Sequence, residues 1–479
     1  MSDTRVSERR RSLWARAYDW LDLRMDITGV LRATLFHPVP RDVNWWYVLG
    51  SATLTSFIVQ VVTGVALAFA YVPSTEHAYP SLDWITNTAY LGSVVRGMHF
   101  WGATAMVVFI LAHMTRVFLF GSFKFPREIS WLSGSLLLLL TLAMAFTGQL
   151  LRWDQDSFWG IVVLAEGAGK TPLIGPILAQ LVIAGQQVGG ATLTRFFATH
   201  VFLIPAGIFL LIGIHLYLVV RRGISDPPNP ESVVVPNVEL ERYERVLQTR
   251  GVPFFPDVAW RDFAASAALV LALLVLSIAV GPPALRIEAN PTIVNTNPRP
   301  DWYFLPLFAL LALVPPEVEN WVLVGLPIAV GAFLFAVPIV ANRGERHWSK
   351  RPWAIAAVGV GTLAGAVLLA AGNVAPWSPN IDAVAHGALP PSVTSRLDAQ
   401  ASAGATLFVR HGCFACHAVH GAGGLAGPEL SAVGDRLGPD QLTTRILNGG
   451  RNMPAFASTL SPREVDQLVA FLRTLSAKR

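Results

Sequence analysis

The sequence predicts an all-α protein: a polytopic bundle of about seven membrane-spanning helices, followed by a small all-α domain at the C-terminus. Hydrophobic residues make up 53% of the 479 and charged residues only 14%. Apolar stretches of membrane-crossing length recur at roughly 47–70, 97–119, 131–150, 198–220, 263–281, 321–341 and 353–372. Both cysteines fall together beyond the last of these, at Cys413 and Cys416, so no disulfide framework is expected.

Five regions follow in chain order. Residues 1–46 form an N-terminal segment with a basic cluster (Arg9, Arg10, Arg11) and no early apolar core of the signal-peptide kind. Residues 13–36, apolar at Trp14, Tyr18, Leu21 and Leu23, read as one amphipathic surface helix, with a frayed terminus as the alternative. Residues 47–225 hold the first four spans and residues 226–372 the last three. Residues 160–187, broken by Gly167, Gly169, Lys170, Pro172 and Pro176, and residues 303–314, too short to cross, read as helices lying at one membrane surface. Residues 373–398, with Pro376, Pro379, Pro390 and Pro391, read as a semi-rigid linker to a domain at 399–479.

Two spans carry paired histidines. His99 and His113 are 14 residues apart, His200 and His215 are 15 apart. At about 100° per residue these separations leave the partners within roughly 40° and roughly 60° on one helix face, ~21–22 Å apart along the axis. The other two early spans carry Gly50/Gly64 and Gly134/Gly148, again 14 apart. Glycine weakens a helix, so it needs a packing reason. Singly, such residues are satisfied core histidines and ordinary small-residue helix contacts. Together they point to two flat macrocycles stacked across the bilayer, two helices giving iron ligands and two giving clearance: two non-covalent, bis-histidine b haems.

Orientation follows from charge. The loops after the second span (Arg116, Lys124, Arg127), the fourth (Arg221, Arg222) and the sixth (Arg343, Arg346, Lys350, Arg351) are basic and share a side with the N-terminus, which makes that side cytoplasmic. The C-terminus is then outside. Residues 413–417 read Cys-Phe-Ala-Cys-His, the pattern for a covalent haem with His417 as iron ligand, although a CxxC alone also serves redox and zinc sites. That haem is attached outside the cytoplasmic membrane, in agreement. Residues 399–476 resemble a class I cytochrome c: Gly404 to Phe408 open its first helix, Gly427-Pro428 follow the haem motif, and Ser461 to Leu475 form the closing helix. The resemblance implies that Met453 in Asn452-Met453-Pro454, alone more simply a core residue, is the second axial ligand.

Between the fifth and sixth spans, Asn297-Pro298-Arg299-Pro300-Asp301-Trp302-Tyr303-Phe304 places a carboxylate among aromatics at the outer membrane edge. It suits a proton acceptor for a hydroquinone, or simply a helix-capping turn.

From about residue 15 to 372 the chain resembles cytochrome b of quinol-oxidising cytochrome bc complexes, most closely the chloroplast and cyanobacterial type split into cytochrome b and subunit IV. The resemblance rests on the histidine spacings, on Phe123-Lys124-Phe125-Pro126-Arg127-Glu128, Trp153-Asp154-Gln155, Thr192-Leu193-Thr194-Arg195-Phe196 and Arg222-Gly223-Ile224-Ser225. The 15-residue separation belongs to the split branch. The resemblance implies that His99 and His200 ligate an outer, low-potential haem, and His113 and His215 an inner, high-potential one. It puts Arg96 and Arg195 near haem propionates. Asp301 falls on the glutamate of the family's Pro-Glu-Trp-Tyr motif, one methylene shorter, with Tyr303 beside it at the quinol. Val48 stands where the split complexes carry a haem-bearing cysteine, so that extra haem is expected to be absent. Arg221 and Arg222 are candidates for an inner quinone site, or a solvated edge cluster.

The function implied is quinol:cytochrome c oxidoreduction in the bacterial cytoplasmic membrane: one quinol electron to a Rieske iron–sulfur partner and on to the tethered c haem, the other across the two b haems, with protons released outside. The Rieske cluster must be on another chain, since it needs two cysteines of its own. Other partners implied are a soluble or membrane cytochrome c or terminal oxidase as acceptor, membrane lipid, and a second copy within a larger complex; no nucleic acid is expected. The competing reading is a di-haem membrane conduit or anchor for another dehydrogenase, without quinol bifurcation.

Overall fold

The computed structural model describes residues 12–185, 188–290, 298–374, 387–424, 427–449, 453–457 and 459–476. Arg9, Arg10, Arg11, Asn297, Pro376, Pro379 and Asn452 therefore lie outside the described residues. Among the described residues, seven helices are long and apolar enough to cross a membrane: Trp45–Ala68, Gly92–Leu119, Glu128–Leu150, Gly190–Arg222, Ala259–Ala279, Val318–Val340 and Pro352–Val374.

The first span runs along the second and the third along the fourth, while the fifth packs on the first two and the sixth meets the third. Apolar side chains point outward as well as inward. Phe263, Ile339, Val340, Val360 and Leu363 are exposed, as lipid requires and water would not permit. Helices Gln155–Gly169 and Gly175–Ile183 fold on each other after the third span, and Leu305–Leu313 packs on the seventh span. Both short elements expected at one surface are thus helical.

Two expectations need correction. The N-terminal helix is two helices, Leu13–Met25 and Ile27–Leu35. Asp26 adopts φ 48 between them, and its side chain accepts the Gly29 N–H, so it ends one helix and caps the next. The fourth span is not one regular α-helix either. Residues Thr199–Leu203 form a π turn in which the Ile204 N–H bonds the Thr199 carbonyl, five residues back. Pro205 has no N–H to offer the Val201 carbonyl, which favours this wider turn. A π turn takes up one extra residue. His200 lies within that turn, so His200 and His215 sit closer to one helix face than 15 regular α-helical residues would place them.

At the end that carries the N-terminus, a buried ion network ties the fourth span to the loop before the seventh. Asp226 receives Arg346 Nη1 at 2.9 Å and Arg242 Nη2 at 3.1 Å, and Arg242 also holds Glu239 at 2.7 Å. Burial alone would raise the Asp226 carboxyl, but the two guanidiniums overcome this and hold it at about 2. A carboxyl depressed in the fold stabilises it fully above the unfolded value of about 4, and the contribution fades as pH falls toward about 2. Arg346→Ala is expected to cost about 1–3 kcal/mol, because it removes one of the two guanidiniums that hold the buried Asp226 and leaves only Arg242. A thermal midpoint at pH 7 within a degree of wild type would contradict this.

The C-terminal domain packs helix Ala399–Arg410 across helix Pro462–Thr474, with Phe408 and Phe471 in the core 5.4 Å apart. A Cβ at Gly404 would fall on the Gln467 carbonyl oxygen, so only glycine permits this crossing. The last helix opens with a Ser461/Glu464 capping box.

Candidate functional site

Each of the four glycines abuts one of the four histidines. A Cβ at Gly64 would lie 3.1 Å from His99 Cε1, and one at Gly148 only 2.6 Å from His200 Cε1. At the other level, Gly50 faces His113 at 3.3 Å and Gly134 faces His215 at 3.5 Å. The two 14-residue glycine pairs therefore match the two histidine levels, one glycine per imidazole.

The residue before three of these glycines is a hydroxyl, and sequence reasoning missed it. Thr63, Ser133 and Thr147 stand 2.9, 2.9 and 3.1 Å from Nδ1 of His99, His215 and His200. Each hydroxyl already donates to a backbone carbonyl of its own helix: Thr63 to Val59, Ser133 to Ser130, Thr147 to Ala143. A hydroxyl has one proton, so it accepts from the imidazole. Nδ1–H is thereby fixed, and Nε2 keeps its lone pair for a metal. His113 lacks this support: Leu49 precedes Gly50, and His113 Nδ1 is buried without a hydrogen bond.

The rings of His99 and His200 face each other at 6.3 Å between centroids and 74° between planes. Two metal–nitrogen bonds of ~2 Å, plus ~1 Å from each nitrogen to its ring centre, add to ~6 Å. The residues fit a bis-imidazole iron. Among the described residues no three His, Cys, Asp or Glu side chains converge as a bare ion would need.

Cations beside the histidines fit the acidic edge of such a group. Arg96 lines the cavity beside His99, donating to Thr86 Oγ1 and the Pro283 carbonyl, both at 3.0 Å. Arg152 lines it too; its buried Nε makes no hydrogen bond and lies 3.6 Å from Asp154. Arg195, which the resemblance puts near a haem propionate, donates to the Leu181 carbonyl at 3.3 Å. At the other level Arg116, three residues after His113, is buried with Nε unbonded and lies 4.2 Å over the Tyr47 ring, whose hydroxyl is also unbonded. Neither Arg116 nor Arg152 stands out in sequence, because a basic residue near a helix end usually serves the loop.

One cavity of about 590 Å³ joins Gly64, Gly148, His99 and His200 to Asp301 and Tyr303. Asp301 Oδ2 accepts the Tyr303 hydroxyl at 2.8 Å, and the Asp301 N–H donates to Gln149 Oε1 at 3.3 Å. Burial, then the adjacent Asp301 charge, pushes the Tyr303 hydroxyl well above the ordinary phenol range, so it stays protonated. Phe304 packs edge-on against Phe146 at 5.6 Å, fixing the segment on the third span.

In the C-terminal domain His417 Nδ1 lies 2.7 Å from the Pro428 carbonyl, and a Cβ at Gly427 would come within 2.5 Å of His417 Cε1. This repeats the pattern of a glycine against an imidazole whose Nδ1 is occupied. Cys413 and Cys416 carry free thiols on one helical turn just before His417. Met453 follows helix Pro439–Asn448, and its loop is tied back by Phe456 N–H to the Ile446 carbonyl at 3.1 Å.

Fold and site define a membrane-spanning, haem-binding electron carrier. The model described as Cytochrome b/b6/petB matches residues 35–223, and that described as Cytochrome C oxidase, cbb3-type, subunit III matches residues 399–472. Cytochrome b6 of Heliomicrobium gestii is 42% identical over 210 residues, which cover 43% of this chain and 99% of that protein. Cytochrome b of Rhodobacter capsulatus is 33% identical over 310 residues, 64% of this chain and 68% of the relative. A solved chain of a hyperthermophilic respiratory complex III superposes with a TM-score of 0.63 at 25% identity, covering 75% of this chain and 91% of its own. The chain belongs to the cytochrome b/b6 family and carries a C-terminal cytochrome c domain.

Proposed function

We propose that the chain is the cytochrome b/c subunit of a bc-type quinol:cytochrome c oxidoreductase in a bacterial cytoplasmic membrane. The single observation that carries this reading is the cavity in which the Asp301–Tyr303 pair and the His99/His200 pair share one apolar volume. A conduit for another dehydrogenase has no use for a half-buried carboxylate there.

In this reading His99/His200 hold the outer b haem, His113/His215 the inner one, and Cys413, Cys416, His417 and Met453 the covalent c haem. When bound, these haems supply one-electron carriers, two crossing the bilayer and one outside, so that a two-electron quinol is divided between them and a separate Rieske protein. The chain's own residues bind, orient and deprotonate. The Tyr303 hydroxyl occupies Asp301 Oδ2, leaving Oδ1 to take a quinol proton. Gln149 holds the Asp301 backbone, and the edge-on contact of Phe304 with Phe146 holds the segment on the third span. Arg96 and Arg152 neutralise acidic groups at the outer level and Arg116 at the inner level. The basic loops then lie in the cytoplasm and the C-terminal domain outside, where residues 373–398 set its reach. Regions 1–46, 47–225, 226–372, 373–398 and 399–479 are the units of this assembly, which functions as a dimer.

Quinol-dependent reduction of the purified complex, with pyridine haemochrome quantification, tests the reading. Two b haems per c haem and reduction of both types are expected; a one-to-one ratio overturns it. Thr147→Val removes the acceptor from His200 Nδ1. It is expected to loosen the outer haem by about 10–100-fold, read as haem released on dilution, with the inner haem retained.

A further inference from the structure

The first turn of the third span and the ends of the fourth and sixth enclose a second cavity, of about 450 Å³, that the reading above does not use. Its wall is apolar at Ile129, Leu132, Leu218 and Ile339, and Ile129 and Ile339 are largely exposed, so the cavity opens toward lipid. Its rim holds one anion, Glu128, and one cation, Arg222. Neither side chain has a hydrogen bond or an ion pair among the described residues, with each other or with a neighbour.

We infer that this cavity binds a zwitterionic phospholipid with a primary ammonium headgroup, phosphatidylethanolamine, its phosphate on Arg222, its ammonium on Glu128 and an acyl chain along Ile129, Leu132 and Ile339. Interhelical pockets with a basic rim at the cytoplasmic edge suit lipid phosphates. The carboxylate narrows the choice. A purely anionic headgroup would meet repulsion at Glu128, and a quaternary choline cannot donate the charge-assisted hydrogen bond that a primary ammonium gives. The apolar wall continues the lipid-facing surface of the third and sixth spans, so an acyl chain enters from the bilayer without new desolvation.

The site also touches the redox core. Ser130 lines the cavity, its carbonyl receives Ser133 Oγ at 3.0 Å, and Ser133 Oγ holds His215 Nδ1 at 2.9 Å. A bound lipid therefore braces the turn that orients His215. This second consequence rests on His215 being a haem ligand; lipid binding itself does not.

The test uses the intact purified complex, delipidated and returned to bilayers of phosphatidylethanolamine, phosphatidylcholine or phosphatidylglycerol, with retained lipid counted by native mass spectrometry. Wild type is expected to retain the ethanolamine lipid over either other by about tenfold. Arg222→Gln should lower that retention by about tenfold, and Glu128→Gln should abolish the preference over phosphatidylcholine, both with wild-type haem content as the folding control. Equal retention of all three lipids, a preference for phosphatidylglycerol, displacement of the lipid by a quinone analogue, or variants that retain lipid as wild type does would each overturn the proposal. Return of the ethanolamine lipid should shift the inner b haem potential. A retained lipid without that shift removes only the brace on His215, and lipid selectivity with a one-to-one haem ratio removes only the haem assignment.

Discussion

Replacing Asp301 by Asn is expected to slow quinol-dependent haem reduction by about 10²–10⁴-fold, the usual worth of a positioned proton acceptor. The amide keeps a carbonyl oxygen for the Tyr303 hydroxyl, now at 2.8 Å from the carboxylate, so the segment should keep its shape. Only the capacity to take a proton is lost. Haem content should match wild type, and chemical reduction with dithionite should give an unchanged spectrum. A turnover within twofold of wild type would remove Asp301 from the reaction. Tyr303→Phe is the milder companion, about tenfold, since it removes an orienting bond and leaves the acceptor. Because the Tyr303 hydroxyl lies well above the ordinary phenol range, it remains protonated from pH 5 to 9. No inflection of the wild-type rate in that window should disappear in Tyr303→Phe.

The second large effect is steric. Gly148→Val places a Cβ 2.6 Å from His200 Cε1 and adds two methyl groups in a stiff rotamer. The imidazole must leave its position, and with it, in the proposed reading, one ligand of the outer haem. The expected outcome is loss of the outer b haem: about half of the b-type absorbance gone, the c-type absorbance unchanged, and quinol oxidation abolished. Gly134→Ala is the control at the other level, where the added Cβ would stand 3.5 Å from His215 Cε1, an ordinary contact. That variant should retain both b haems. Equal behaviour of the two variants would mean that the glycines serve helix packing and not the haems.

Much of this molecule is visible in one dimension because a bilayer simplifies the code. A span must be about 20 apolar residues with its hydrogen bonds internal. Any histidine or glycine inside it then stands out, and helical periodicity sets its height and face. The pairing Gly50–His113, Gly64–His99, Gly134–His215 and Gly148–His200 follows from matched spacing on antiparallel neighbours. The supporting side chains are different. Thr63, Ser133 and Thr147 are common in apolar helices, where they bond their own backbone, so nothing local separates a hydroxyl that also holds an imidazole. Arg152 and Arg116 likewise look like loop-edge cations until the fold brings Arg152 to the His99/His200 cavity and buries Arg116 a turn from His113.

The all-α membrane class, the two levels of paired imidazoles with their clearance, and the Cys-Phe-Ala-Cys-His motif are legible from residue order, because each is a periodic or contiguous pattern. Tertiary structure alone decided three things. It placed a π turn at His200, because such a turn is a choice among backbone hydrogen bonds that Pro205 only biases. It fixed the tautomers of three imidazoles, through hydroxyls supplied by a neighbouring helix. It also brought Asp301, about 100 residues beyond His200 in the chain, into the cavity of the His99/His200 pair. Contacts between residues so far apart in sequence arise from packing and leave no spacing to read.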